Sequence, residues 1–168
     1  MSKTAKIILI VVVIVIILAL IIVGAIVGVS MLLNREKDSI TAEQFRSMME
    51  QNNYTVADAT YQFSQYDYVQ QVYIAADSSY SYQIEFYELS NESNAIGFYN
   101  NNASIFQSRK GNAAAAETNV SGKNFSKYTL SSGGSYMTVS RINNTIVYVD
   151  VTSEYEDVVK DVLDKIGY

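Results

Sequence analysis

The chain has no cysteine, histidine, proline or tryptophan. Without cysteine there is no disulfide framework, no thiolate zinc site, no thiol nucleophile and no lipid-modified N-terminal Cys. Without histidine the commonest general base near neutral pH and the commonest metal ligand are both missing. The lack of proline removes slow Xaa–Pro isomerisation and any Pro-rich linker. Basic residues are also scarce. Beyond Leu33 there are ten Lys and Arg against seventeen Asp and Glu, a net charge of −7 on that part of the chain. An acidic domain without a basic patch repels phosphate backbones, so nucleic acid is not an expected partner.

The residues that are abundant are sharply segregated. Ile7 to Leu33 carries no charge over 27 residues. As a helix that run extends about 40 Å, against a hydrocarbon core of roughly 30 Å. The apolar region of a cleavable signal is far shorter, about 7–15 residues ahead of a small-residue site. Despite small residues at Gly28 and Ser30, the run therefore reads as an uncleaved transmembrane anchor. The expected organisation is a basic tail (1–6), a transmembrane helix (7–33), a juxtamembrane linker (34–38) and a folded domain (39–168). Lys3 and Lys6 nearly balance Arg35, Lys37 and Arg46 across the run. The free amino terminus tips the orientation toward a cytoplasmic N-terminus, with the domain outside the cell membrane. Gly24 and Gly28 form a Gly-x-x-x-Gly spacing that offers a route to a homodimer through the span, although glycine is common in spans generally.

Three helices are expected in the domain. In the first, Thr41 and Gln44 form a capping box, Ile40 and Phe45 a hydrophobic staple, and Phe45, Met48 and Met49 a buried stripe, with Asn52–Asn53 at a left-handed end. The second runs from Asn91 to Arg109, with Ala95, Phe98, Tyr99, Ile105 and Phe106 at helical spacing and Gly111 past its stop. The third begins with a Ser153/Glu156 capping box, buries Val158, Val159, Val162, Leu163 and Ile166, and closes at Gly167.

Runs rich in Tyr, Val, Ile and Thr between the helices read as strands. "VQQVYIAAD" and "SYQIEFYEL" form a hairpin across Asp77–Ser78–Ser79, and "TVADATYQF" is a weaker candidate. "NFSKYTL", "SYMTVSR" and "NTIVYVDV" form a meander turning at Ser131–Gly134 and Asn143–Asn144. Val147, Val149 and Val151 share the expected core face of the last strand, and Gly111 to Lys123 is expected to be a loop. The fold class is α+β. A two-layer sandwich is expected, with a mostly antiparallel sheet of about four to six strands covered by helices on one face, in the order α-β-β-α-β-β-β-α.

No catalytic, cofactor or metal site is expected. Glu85, Glu88 and Asp150 are carboxylates for acid–base work only if they converge; solvated charges on polar strand faces are the better account. Ser121/Lys123 and Ser126/Lys127 are Ser–Lys pairs by proximity alone, without an accompanying motif. Glu154, Asp157, Asp161 and Asp164 interleave with Lys160 and Lys165 as on a solvated helix face. Six Asn-x-Ser/Thr sequons, at Asn53, Asn91, Asn102, Asn119, Asn124 and Asn143, matter only in a eukaryotic secretory route.

Tyrosine is the enriched residue, with fourteen copies. Tyr61, Tyr66, Tyr68, Tyr73, Tyr80, Tyr82 and Tyr87 crowd one third of the domain. With Ser and Asn around them they are candidates for an aromatic binding surface, set against the plainer fact that Tyr is a good strand former. The layout resembles bacterial membrane-anchored proteins in architecture only, which implies no site residue. The expectation is a non-enzymatic extracytoplasmic domain that binds or scaffolds a membrane or cell-wall protein or glycan. The alternatives are an envelope hydrolase and a small accessory subunit acting through its span.

Overall fold

The Tyr-, Val- and Thr-rich runs become strands of one antiparallel sheet, except that Thr60–Phe63 of "TVADATYQF" turns as a 3₁₀ helix. In this computed structural model, which describes residues 35–111 and 115–168, the strands are β1 (Thr55–Asp58), β2 (Val69–Ala76), β3 (Gln83–Leu89), β4 (Ala116–Ser121), β5 (Phe125–Ser132), β6 (Ser135–Ile142) and β7 (Thr145–Thr152). The helices are α1 (Ala42–Gln51), α2 (Glu92–Ser108) and α3 (Glu156–Lys165), with short 3₁₀ turns at Thr60–Phe63 and Ser153–Tyr155. The expected span, with Gly24 and Gly28, lies outside the described residues. Among the described residues no helix is long and apolar enough to cross a membrane.

The seven strands lie in the order β1-β2-β3-β7-β6-β5-β4. Two local meanders, β1–β3 and β4–β7, are joined where β3 pairs with β7, from Glu85↔Tyr148 to Glu88↔Thr145. The turns use the residues that their backbone requires. Gly133 and Gly134 both take positive φ between β5 and β6, and Asn143 takes φ 51° between β6 and β7. Both positions suit residues that tolerate the left-handed region.

The helices cover both faces of the sheet, which corrects the two-layer expectation. α1 and α3 pack Phe45, Met49, Val159 and Leu163 against Phe86, Val147 and Val149. α2 packs Ala95, Tyr99 and Phe106 on the opposite face, against Leu130, Val139 and Ile146. The valine face of β7 is a core face, but so is its other face at Ile146. β6 is buried at seven of its eight positions, and a strand covered on both sides loses the alternation that marks a one-sided sheet. Glu36–Tyr168 forms one compact unit.

Local signals hold where a cap or turn carries them. The Thr41/Gln44 capping box is formed, and Asn53 takes φ 65° after α1. Ser153 and Glu156 do not form one: a 3₁₀ turn intervenes, and the Glu156 carboxylate pairs with Lys160 and accepts from Ser131 Oγ. Val158, expected to be buried, is exposed, and so is Ile105, one of the residues at helical spacing in α2. The expected loop Gly111–Lys123 contains β4. All six of its residues are exposed, because an edge strand pairs on one side only and needs no apolar face. Lys37, expected in a linker, is held to the domain. Its N–H donates to Asn124 Oδ1 at 2.9 Å and its carbonyl accepts from Asn124 Nδ2 at 2.8 Å.

Candidate functional site

α2 is set on the sheet by its first turn. Asn91 Oδ1 accepts the Asn94 N–H at 2.9 Å. Glu92 Oε1 accepts from Arg141 Nη1 at 2.8 Å, and Arg141 is itself buried in β6. With Ala95, Tyr99 and Phe106 turned to the core, a second stripe one helical step away faces a groove of about 550 Å³. That stripe is Ser93, Asn94, Gly97, Phe98, Asn101 and Asn102, spaced three to four residues apart as one helix face requires.

The facing wall comes from the approach to β2 and from β3: Phe63, Tyr66, Tyr68, Val69 and Tyr87. Main-chain bonds fix it. Tyr66 N–H donates to Phe63 O at 2.9 Å, Val69 N–H to Tyr66 O at 3.0 Å, and Ser90 N–H to Tyr68 O at 2.9 Å. The last of these ties the wall to the residue that precedes the α2 cap. Three rings run on from one another, Phe63 edge-on to Tyr87 at 5.4 Å and Tyr87 tilted against Phe98 at 4.8 Å. Tyr66 and Tyr68 stand 5.7 Å apart beside them.

The groove is lined by no charged side chain. The one carboxylate linked to it, Glu85, accepts the Tyr87 hydroxyl proton. Burial, then the Glu85 charge, pushes the Tyr87 phenol far above its usual value, so it stays a neutral donor. Among the described residues, the side chains of Ser93 and Asn101 and the phenols of Tyr66 and Tyr68 make no hydrogen bond to another residue. Asn102 spends one amide N–H on Phe98 O at 2.8 Å, which leaves its other N–H to donate and its Oδ1 to accept.

Gly97 keeps the groove open. A Cβ placed there meets nothing within 4 Å, so neither close packing nor backbone conformation calls for glycine. Glycine within a helix costs about 1 kcal/mol relative to alanine, and asparagine is also a poor helix former. Gly97 and Asn101 therefore sit where the fold itself gains nothing from them. Local rules broken without structural return are characteristic of binding sites.

The seven candidate tyrosines do not form one surface. Tyr66, Tyr68 and Tyr87 meet at the groove. Tyr73 is buried on the opposite face, where its hydroxyl donates to Glu43 Oε1 at 2.6 Å. Tyr82 stacks on Tyr155 and shares a hydroxyl contact of 2.6 Å with Tyr54. Tyr61 and Tyr80 are separately exposed. The 4% exposure of Tyr73 and of Tyr87 removes both from any exposed patch. Phe63 and the Ser93–Asn102 stripe were not expected at a site. The signal that could have found them is the run of poor helix formers in "GFYNNN".

The carboxylates and Ser–Lys pairs are dispersed. Glu88 faces α1 and accepts the Ala42 N–H at 2.9 Å. Asp150 pairs with Arg109 on the α2 face, and Glu85 is bound to Tyr87 and to Gln83 Nε2 at 2.9 Å. Lys123 pairs with Glu36 at 2.5 Å. Ser126 contacts Ser121 at 3.3 Å, whereas its neighbour Lys127 lies on the other sheet face and donates to Tyr168 O at 3.1 Å. Burial, reinforced by Lys37 and Lys160, lowers the Lys127 pKa. Among the described residues no three His, Cys, Asp or Glu side chains gather to hold a metal ion. Comparison of the chain with family models, with curated proteins and with solved structures gives no match.

Proposed function

We propose that this chain is a membrane-tethered binding protein. Residues 7–33 stay in the bilayer as an uncleaved span, the N-terminus is cytoplasmic, and the domain 39–168 stands outside, where it holds an envelope component without transforming it. The observation that carries the binding role is the uncharged aromatic and amide groove beside Gly97. Its volume falls within the roughly 300–1,000 Å³ usual for ligand sites, and a few polar groups over an apolar floor are the usual means of orienting a ligand. The length and apolarity of residues 7–33 support the tether. Anchoring confines the groove to a thin layer beside the membrane, which raises its effective concentration toward partners there.

Membrane fractionation of the full-length chain combined with external protease tests this reading. The expected result is retention in the membrane pellet through a carbonate wash, with the C-terminal domain digested in intact cells. Recovery of the domain in the soluble fraction would remove the tether, and protection from external protease would reverse the orientation.

A further inference from the structure

The groove offers aromatic faces, hydroxyls and amide oxygens, and no ion. Resting on the binding role proposed above, we propose that its ligand is a neutral oligosaccharide, lying along α2 with its sugar faces on Tyr66, Tyr68 and Phe98 and its hydroxyls on Ser93, Asn101 and Asn102.

A pyranose ring has an apolar C–H face and a rim of hydroxyls. The negative face of an aromatic ring attracts polarised C–H groups, and a phenol or amide beside it meets the rim. From Ser93 to Asn102 the helix rises about 13 Å, which is longer than a single sugar ring, so the groove suits a chain over a monosaccharide. Without a cation in the lining, and on a chain of net charge −5, a phosphorylated or carboxylated ligand finds no counter-charge.

Two kinds of peptide fit less well. An extended peptide docks by pairing with an open sheet edge, yet Tyr87 of β3 is paired on both sides, to Val72 and to Ile146, and β2 leaves open only the short stretch Val69–Gln71. A proline-rich peptide does dock in aromatic grooves, but its main chain supplies carbonyl acceptors and few N–H donors. The Asn102 amide, fixed by its bond to Phe98 O, keeps its acceptor oxygen beside its second N–H, and a proline-rich main chain offers that oxygen little. Sugar hydroxyls satisfy that oxygen by donating and satisfy the Asn101 N–H groups by accepting.

The test uses full-length protein in a detergent that has no sugar headgroup. Because the chain has no tryptophan, intrinsic emission comes from its fourteen tyrosines, Tyr66 and Tyr68 among them, and the groove variants below assign any change to this site. Cellohexaose, chitohexaose and capped decaproline are titrated separately. The expected result is saturable binding of at least one of the two hexasaccharides. Gly97→Leu, which fills the groove, and Asn101→Ala, an exposed position that leaves the fold intact, should each weaken it about tenfold or more, with circular dichroism unchanged. Failure of both hexasaccharides to bind at millimolar concentration would overturn the proposal, as would binding that both variants leave unaltered. Decaproline binding that Gly97→Leu abolishes would overturn the sugar assignment while keeping the groove as the binding site. The fractionation experiment fails or succeeds independently of all three titrations.

Discussion

Gly97 lies on α2, and Arg141, in β6, is held to the first turn of that helix through Glu92. At Gly97 the backbone is helical and unobstructed. Gly97→Ala should therefore raise stability by about 0.5–1 kcal/mol in urea unfolding, through the lower entropy of the unfolded chain. A loss of stability would mean that the helix needs glycine there for packing. Arg141 is 4% exposed, and its Nε has no partner among the described residues. Its Nη1 holds Glu92 and Asn143 O at 2.8 and 3.2 Å. Removing Glu92 strands a buried guanidinium, although half of the Glu92 side chain already meets water. Glu92→Ala should cost about 2 kcal/mol, whereas Arg141→Met, which removes the buried charge altogether, should be close to neutral. Tyrosine shows where residue type alone misleads. Tyr73 and Tyr87 are spaced like surface strand residues, yet each lies under a helix on its own face of the sheet. Nothing in the sequence announces that both faces are covered.

Elements whose ends are marked by side-chain chemistry were legible. Thr41 and Gln44 fix the start of α1, Asn91 that of α2, and Gly167 takes φ 87° after α3. Elements defined only by their neighbours were not. β4 reads as a loop because its sequence, Ala-Glu-Thr-Asn-Val-Ser, meets only β5. It is anchored by side chains beyond the strand ladder: Glu117 binds Lys110 at 2.5 Å and the Tyr128 hydroxyl at 2.9 Å. Those contacts span 7 and 11 residues, separations that neither helical nor strand periodicity registers. The groove was hidden for the same reason, since Phe63 and Phe98 lie 35 positions apart in the chain. The strap before α1 gives a testable case. Asn124 holds both polar atoms of the Lys37 main chain, and its Nδ2 also donates to Asn143 Oδ1 at 2.9 Å. Asn124→Ala should cost about 2 kcal/mol and expose residues near Lys37 to limited proteolysis. An unchanged cleavage rate would show that other contacts hold the strap. The same bonds occupy the amide nitrogens of Asn124 and Asn143, the latter through Ser39 Oγ at 3.1 Å. These two sequons are therefore engaged in the fold.

For the whole molecule, the absence of histidine shapes the dependence on pH. The carboxyl pKa of Glu117 is lowered first by its bond to Lys110, then by Tyr128. Burial works against the charge of Asp77, but donors from Tyr82, Ser79 and Ser81 outweigh it and lower its pKa too. Groups with depressed values contribute stability that is fully present above the unfolded carboxyl pKa and is lost as pH falls from there through the lower folded value. At the other end, burial pushes Tyr136, Tyr148 and Tyr168 up to about 12 from the ordinary 10.0. The stability they contribute is complete below pH 10 and disappears as pH rises toward 12. In that window each such phenol removes at most about 1.4 kcal/mol per pH unit. Stability should thus be flat from pH 6 to 9 and fall steeply above 10, with the ionisation of Tyr136, Tyr148 and Tyr168 appearing in step with unfolding. Ionisation of all fourteen tyrosines well ahead of unfolding would contradict the burial of these rings. The order of the strands carries a further consequence. The first meander meets the second only along β3 and β7, so its inner margin stays open until the chain has been made past Thr145. During synthesis the early half must wait, incomplete, for nearly the last piece to arrive. Assembly then closes late and all at once, leaving a nascent chain most vulnerable to pairing with its neighbours on the ribosome side of completion.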